Sequence, residues 1–99
     1  MRVISKARLR QFWELPGHED SEGPLRAWYT HVNDKSVAWQ SWSDVKADFA
    51  GASIVGNCVV FNIGGNKVRL IAAIHYNRSK IYIRAVLSHA EYDEQRWRK

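Results

Sequence analysis

Lys67, Arg69, Arg84, His89 and Tyr92 stand close together in the last third of the chain. Lysine and arginine bind phosphate, while histidine and tyrosine carry protons. Cleavage of RNA without a metal needs a base for the ribose 2′-hydroxyl proton, cationic donors for the charge that grows on the phosphoryl oxygens, and an acid for the leaving 5′-oxygen. This set offers a candidate for each part. His89 is the obvious proton carrier, since histidine is the side-chain type that changes charge near neutral pH. An isolated histidine near a strand end is more often structural, so spacing alone leaves its role open. The internal 2′-oxygen is the only nucleophile the set implies, and the expected products are a 2′,3′-cyclic phosphate and a 5′-hydroxyl.

The charge around these residues suits an anion. No acidic residue lies between Asp48 and Glu91, whereas Lys67, Arg69, Arg78, Lys80 and Arg84 all fall inside that stretch. The other ten Lys and Arg cancel the ten Asp and Glu, so the formal +5 of the chain resides in this segment. A pI near 9.7 favours a polyanionic partner such as nucleic acid, although a basic surface serving only solubility fits charge alone equally well.

Other chemistries find less support. Cys58, His18, His31, His75 and His89 show none of the close paired spacings of structural zinc sites, and there is no HExxH. Neither metal nor cofactor is expected. Gly64-Gly65-Asn66-Lys67 lacks the GxxxxGK[ST] pattern of a phosphate loop and joins two strand-like runs, as a hairpin turn does. No Gly-x-Ser-x-Gly elbow occurs, and the single cysteine excludes an intramolecular disulfide. The basic amino terminus has no apolar signal core, and no stretch is long and apolar enough to span a bilayer. The expectation is a cytoplasmic protein without membrane contact.

These residues must be held by a sheet. From Asn57 to Tyr92 three apolar, β-branched runs alternate with short clusters of Gly, Asn, Arg and Ser, the signature of consecutive antiparallel strands. Val68, Leu70, Ala72 and Ile74 alternate with Arg69, Ile71, Ala73 and His75, and Ile81, Ile83, Ala85 and Leu87 alternate with Tyr82, Arg84 and Val86. Arg69 and Arg84 are thereby expected on the less apolar face, lining a shallow trough. The first half reads as helices. Ser5 is placed to cap one carrying Leu9, Phe12 and Trp13; Pro24 opens a second with Leu25, Trp28, Tyr29 and Val32; Ser43 caps a third with Val45 and Phe49. The tryptophans are expected to pack helices on the sheet. After Leu87 the pattern breaks, and a charged tail from Glu94 to Lys99 keeps Trp97 as its one large apolar group. At 99 residues the chain suits one domain over 1–99, of α+β class, with amino-terminal helices on one face of a small antiparallel sheet.

The strings PLRAWY at 24–29, DVKADF at 44–49, VGNCVVFNIGGNKVRLI at 55–71, AIHYNR at 73–78 and VLSHAEYD at 86–93 together resemble the HigB family of type II toxins. That family is similar in fold to the RelE superfamily of messenger-RNA interferases, which cleave messages, commonly in the ribosomal A site. The resemblance implies a metal-independent endoribonuclease that inhibits translation. It further implies a HigA-type helix-turn-helix antitoxin as partner, with operator DNA reached only through the antitoxin complex. By position, Arg69 matches the strand arginine set against the scissile phosphate, His89 the basic residue after the last strand, and Tyr92 the aromatic residue beyond it. Lys67 joins Arg69 at the phosphate; Arg78, Lys80 and Arg84 extend the RNA-binding surface. His89 with Glu91 and Asp93 beside it departs from the usual lysines and arginines, so base and acid remain unassigned. The loop from His18 to Gly23 receives no role.

Two rivals stand beside this reading: a basic sheet that grips RNA or ribosome without cutting, and a DNA-binding repressor, which lacks a recognisable recognition helix. If the basic segment contacts several phosphates, RNA affinity falls steeply with salt as counterions are released. Fluorescence titration at low and physiological salt measures this, and a flat affinity would remove the electrostatic premise.

Overall fold

The computed structural model describes residues 1–65 and 67–94. In chain order the elements are β1 (Arg2–Ile4), α1 (Lys6–Trp13), a 3₁₀ turn (Glu19–Ser21), α2 (Glu22–Val32), α3 (Trp42–Asp48), β2 (Ser53–Val55), β3 (Cys58–Ile63), β4 (Val68–His75), a second 3₁₀ turn (Tyr76–Arg78), β5 (Lys80–Ser88) and α4 (His89–Asp93). Trp97 and the end of the charged tail lie outside the described residues, as does Asn66.

The three long runs form β3, β4 and β5 as antiparallel neighbours, and the sheet order is β1-β5-β4-β3-β2. The fold is of the expected α+β class, but the sheet is not antiparallel throughout: the short edge strand β1 at Arg2–Ile4 lies parallel to β5, Val3 opposite Ile81, so the sheet is mixed at that edge. A short β2 was not anticipated. Its signal is Val55-Gly56-Asn57-Cys58, a two-residue hairpin turn with Gly56 at φ +60°, a conformation that favours glycine.

Each helix buries the face its spacing defines: Leu9, Phe12 and Trp13 from α1, Leu25, Trp28 and Val32 from α2, and Val45 from α3. They pack on the sheet face formed by Val59, Phe61, Ile63, Val68, Leu70, Ala72, Ile81 and Ile83. Phe61, wholly buried, is ringed by Trp28, Trp39 and Phe49 at centroid distances of 5.4, 6.1 and 5.2 Å. These tryptophans are core, as expected. Helix starts differ in detail. Ser5 takes the N-cap position with a left-handed backbone, φ +76°, and makes no side-chain cap bond. The third helix begins at Trp42 after an extended Ser41, two residues before the start expected behind Ser43; the carboxylate of Asp44 accepts the Gln40 amide at 2.8 Å across that turn.

The strict alternation read along β5 fails at Arg84. Ala72 pairs with Ile83 and Ile71 with Ala85, leaving Arg84 as the extra residue of a β-bulge. Beyond it the parity of β5 is reversed, so Val86 packs against the core while Leu87 lies beside Arg69 on the opposite face. The bulge is braced by α1, whose Arg8 guanidinium donates to the Arg84 carbonyl at 2.8 Å. Val86→Asp should therefore destabilise the fold by about 1–3 kcal/mol, the cost of setting a carboxylate on a partly buried contact with the core. Leu87→Asp, set opposite Arg69, should cost clearly less. Denaturant midpoints of the two variants check this, and the reverse order would refute the shifted register.

Candidate active site

Arg69 occupies the central strand, flanked in the ladder by Asn62 of β3 and Leu87 of β5, on the sheet face away from α1–α3. Alternation places it there. It does not lie in an open trough, however: only 9% of its surface is exposed. What covers it is α4. Nη2 of Arg69 donates to Nδ1 of His89 at 3.1 Å, and the guanidinium carbon sits 5.6 Å from the centroid of the Tyr92 ring. Nη1 is buried and has no hydrogen-bond partner among the described residues.

A five-residue helix stands so firmly at this point because of Ser88 and Glu91. The Ser88 hydroxyl accepts the Glu91 amide at 3.2 Å, and the Glu91 carboxylate accepts the Ser88 amide at 3.0 Å. This is a reciprocal capping box, and Ser-x-x-Glu was the sequence signal for a helix that the broken strand pattern had left unassigned. The His89 amide also donates to the Lys67 carbonyl at 3.1 Å, tying the start of α4 to the β3–β4 turn. His89 and Tyr92, three apart, then share a helix face turned to Arg69.

The hydrogen bonds assign the imidazole its tautomer. Arginine is an obligate donor, so Nδ1 of His89 is the acceptor and a neutral ring carries its proton on Nε2. That nitrogen faces Oδ2 of Asp93 at 3.3 Å. The two acidic residues near His89 thus differ in placement: Glu91 caps the helix, and Asp93 lies within ion-pair distance of the ring on exposed surface. Asp93 is the participant that residue-type reasoning did not single out.

The remaining cations are dispersed. Lys67 reaches Asp20, Nζ to Oδ2 3.0 Å, across exposed surface. The Lys67 ammonium holds the Asp20 carboxyl below the usual carboxylate range, so the pair persists at neutral pH and is lost on acidification through that lowered range. Asp20 comes from the loop to which the sequence assigned no role. Arg84 is exposed at the bulge. Arg78 and Lys80 sit at the far end of the β4–β5 hairpin, beside Met1 and Asn33. Six strand steps, about 20 Å, separate that end from Arg69. Arg69, His89 and Tyr92 are therefore brought together, while Arg78 and Lys80 are not. No group of three or more His, Cys, Asp and Glu converges as a metal-holding set among the described residues.

A buried guanidinium bonded on one side to an imidazole and faced by an aromatic ring, with a carboxylate near that imidazole, is thus assembled on a small basic α+β domain. The family described as HigB toxin, the RelE-like toxic component of a toxin-antitoxin system, matches residues 21–95, and the chain belongs to that family. It is also similar to the mRNA interferase toxin HigB of Escherichia coli K12, 50% identical over 34 residues, which cover 34% of this chain and 33% of the relative. The mRNA interferases HigB of Escherichia coli O157:H7 and Shigella flexneri match to the same extent. The match thus spans about a third of the length of these relatives. No described helix is long and apolar enough to cross a membrane.

Because the capping box positions both His89 and Tyr92, Ser88→Ala should cost about 1 kcal/mol locally and speed amide exchange in α4 roughly fivefold, leaving β3 and β4 protected. Hydrogen exchange followed by NMR measures this, and unchanged exchange in α4 would show that the box does not hold the helix.

Proposed function

We propose that this protein is the toxin of a toxin-antitoxin pair and an endoribonuclease that cleaves messenger RNA by attack of the 2′-hydroxyl. The observation that carries the reading is the buried Arg69 with Nη1 unpartnered among the described residues and Nη2 held by His89. A charged donor buried without an acceptor is costly, by about 1–3 kcal/mol or more, and a phosphate supplies what it lacks. The family and the activity for which the relatives are named support the same class of reaction.

In this mechanism the scissile phosphate takes both donors of Arg69, displacing His89 as acceptor and freeing its Nδ1. His89, oriented through Nε2 by Asp93, accepts the 2′-hydroxyl proton as the 2′-oxygen attacks phosphorus. The bond from phosphorus to the 5′-oxygen breaks, and the Tyr92 hydroxyl donates its proton to the leaving oxygen. Arg69 stabilises the extra negative charge of the transition state. Lys67, released from Asp20, adds a second cation at the mouth of the site, and Arg84 holds a neighbouring phosphate. No metal enters these steps. Messages on translating ribosomes are the proposed substrate, with a HigA-type antitoxin as the neutralising partner and the cytoplasm as the location.

Arg69→Ala removes a donor aimed at transition-state charge and should lower the cleavage rate about 10²- to 10³-fold. His89→Ala and Tyr92→Phe should each cost roughly 10²- to 10⁴-fold, with melting curves confirming that the variants fold. Expression in a bacterial host, with mapping of message 5′ ends, reads the effect: wild type generates new ends within translated frames and the three variants do not. A non-catalytic binder instead arrests growth with messages intact, and Tyr92→Phe leaves its toxicity unchanged.

A further inference from the structure

The loop between α1 and α2 is built to hold one carboxylate in place. The His18 ring stacks on Phe12 of α1, centroids 4.4 Å apart, and the buried Ser21 donates its hydroxyl to the His18 carbonyl at 2.6 Å. The Ser21 amide donates to the same carbonyl at 3.0 Å, and the Glu19 carboxylate accepts the Gly17 amide at 3.1 Å. His18, Glu19 and Ser21 thus anchor the loop itself. Asp20 alone turns outward, to Lys67, with Oδ2 3.0 Å from Nζ. Lys67 lies two residues before Arg69, about 7 Å away at the rise of a strand, and its carbonyl accepts the His89 amide. The carboxylate therefore stands at the edge of the proposed phosphate site. Arg69 shows the same pattern, since its Nη2 is taken by His89: donors that RNA would use are occupied by groups of the chain.

We infer that Asp20 is a built-in mask of the RNA site: its carboxylate holds Lys67 in the place of a substrate phosphate, and RNA engages Lys67 only by exchanging it. The inference rests on the proposed RNA-cleaving function. A carboxylate and a phosphodiester both present anionic oxygens to an ammonium, so either satisfies Lys67. The two side chains are 71% and 63% exposed, and an ion pair of that exposure is weak enough to exchange. After the exchange Asp20 remains beside the strand as a like charge, so it lowers affinity while touching none of the reacting atoms. A ligand that met Lys67 alone would replace one anion by another with little gain. A strand that reaches Arg69 at the same time offsets the exchange at the buried donor, and Asp20 thereby ties tight binding to seating at Arg69.

The experiment follows, by fluorescence anisotropy over a salt series, binding of a single-stranded RNA that carries 2′-O-methyl groups and cannot be cut. Wild type, Asp20→Asn, Lys67→Ala and the double variant are compared. Asp20→Asn should bind about two- to fivefold more tightly at low salt, the range set by an exposed ion pair. Its slope of log affinity against log salt should steepen by about 0.7, one phosphate contact of a single strand, because wild type brings a compensating carboxylate into the complex. With Lys67 already replaced by alanine, the same change at Asp20 should gain almost nothing. Glu19→Gln removes an equal charge one residue away from the pair and should not reproduce the gain. Equal gains with and without Lys67, the same gain from Glu19→Gln, or no gain from Asp20→Asn overturns the mask while leaving the cleavage reading intact. Absence of any RNA binding by wild type and variants at low salt overturns both.

Discussion

The organisation of this domain depends on one buried cation. Arg69 stands on the central strand with 9% of its surface exposed, in a position where a charge is tolerated only if its surroundings replace water. The surroundings do so incompletely. The imidazole of His89 accepts one donor and the ring of Tyr92 faces the guanidinium, while Nη1 has no acceptor among the described residues. A polar group left in this state is uncommon in folded proteins, and the proposed phosphate would supply the missing acceptor. The capping box at the start of α4 sets His89 and Tyr92 against that one side chain.

The second organising feature is the bulge at Arg84. A regular β5 would send Ala85 and Leu87 to the core and Val86 outward; the extra residue exchanges these faces. The core keeps its apolar lining by accepting Val86, and the opposite face gains Ala85 beside Ile71 and Leu87 beside Arg69. Arg8 of α1 anchors the irregularity by bonding the Arg84 carbonyl, so the amino-terminal helix takes part in shaping a face it does not itself occupy.

The net charge is distributed less simply than its amount implies. The five cations of the acid-free stretch divide into Arg69 beneath α4, Arg84 exposed at the bulge, Lys67 paired with Asp20, and Arg78 with Lys80 at the other end of the hairpin. An exposed pair such as Lys67 with Asp20 contributes little to stability and can exchange its partner. For the proposed substrate this provides one buried contact at the reacting phosphate and weaker, separated contacts along the strand.

The periodicity of the sequence determined the α+β class, the three long strands, the faces of α1 and α2 and the tryptophan core, because burial of apolar side chains enforces periods of 2 and 3.6 wherever a face meets the interior. It also placed Arg69 opposite the core; residue type made His89 and Tyr92 candidates, while spacing alone left the role of His89 open. Other features depended on contacts between residues distant in sequence. Lys67 and Asp20 meet because a loop between helices passes the β3–β4 turn. The parallel pairing of β1 with β5 joins the two ends of the described chain. The bulge is an irregularity of strand pairing, which alternation along one strand cannot register. Above all, the burial of Arg69 was decided by the docking of α4. A strand pattern assigns a side chain to a face, and only the packing of another element on that face decides whether it meets water.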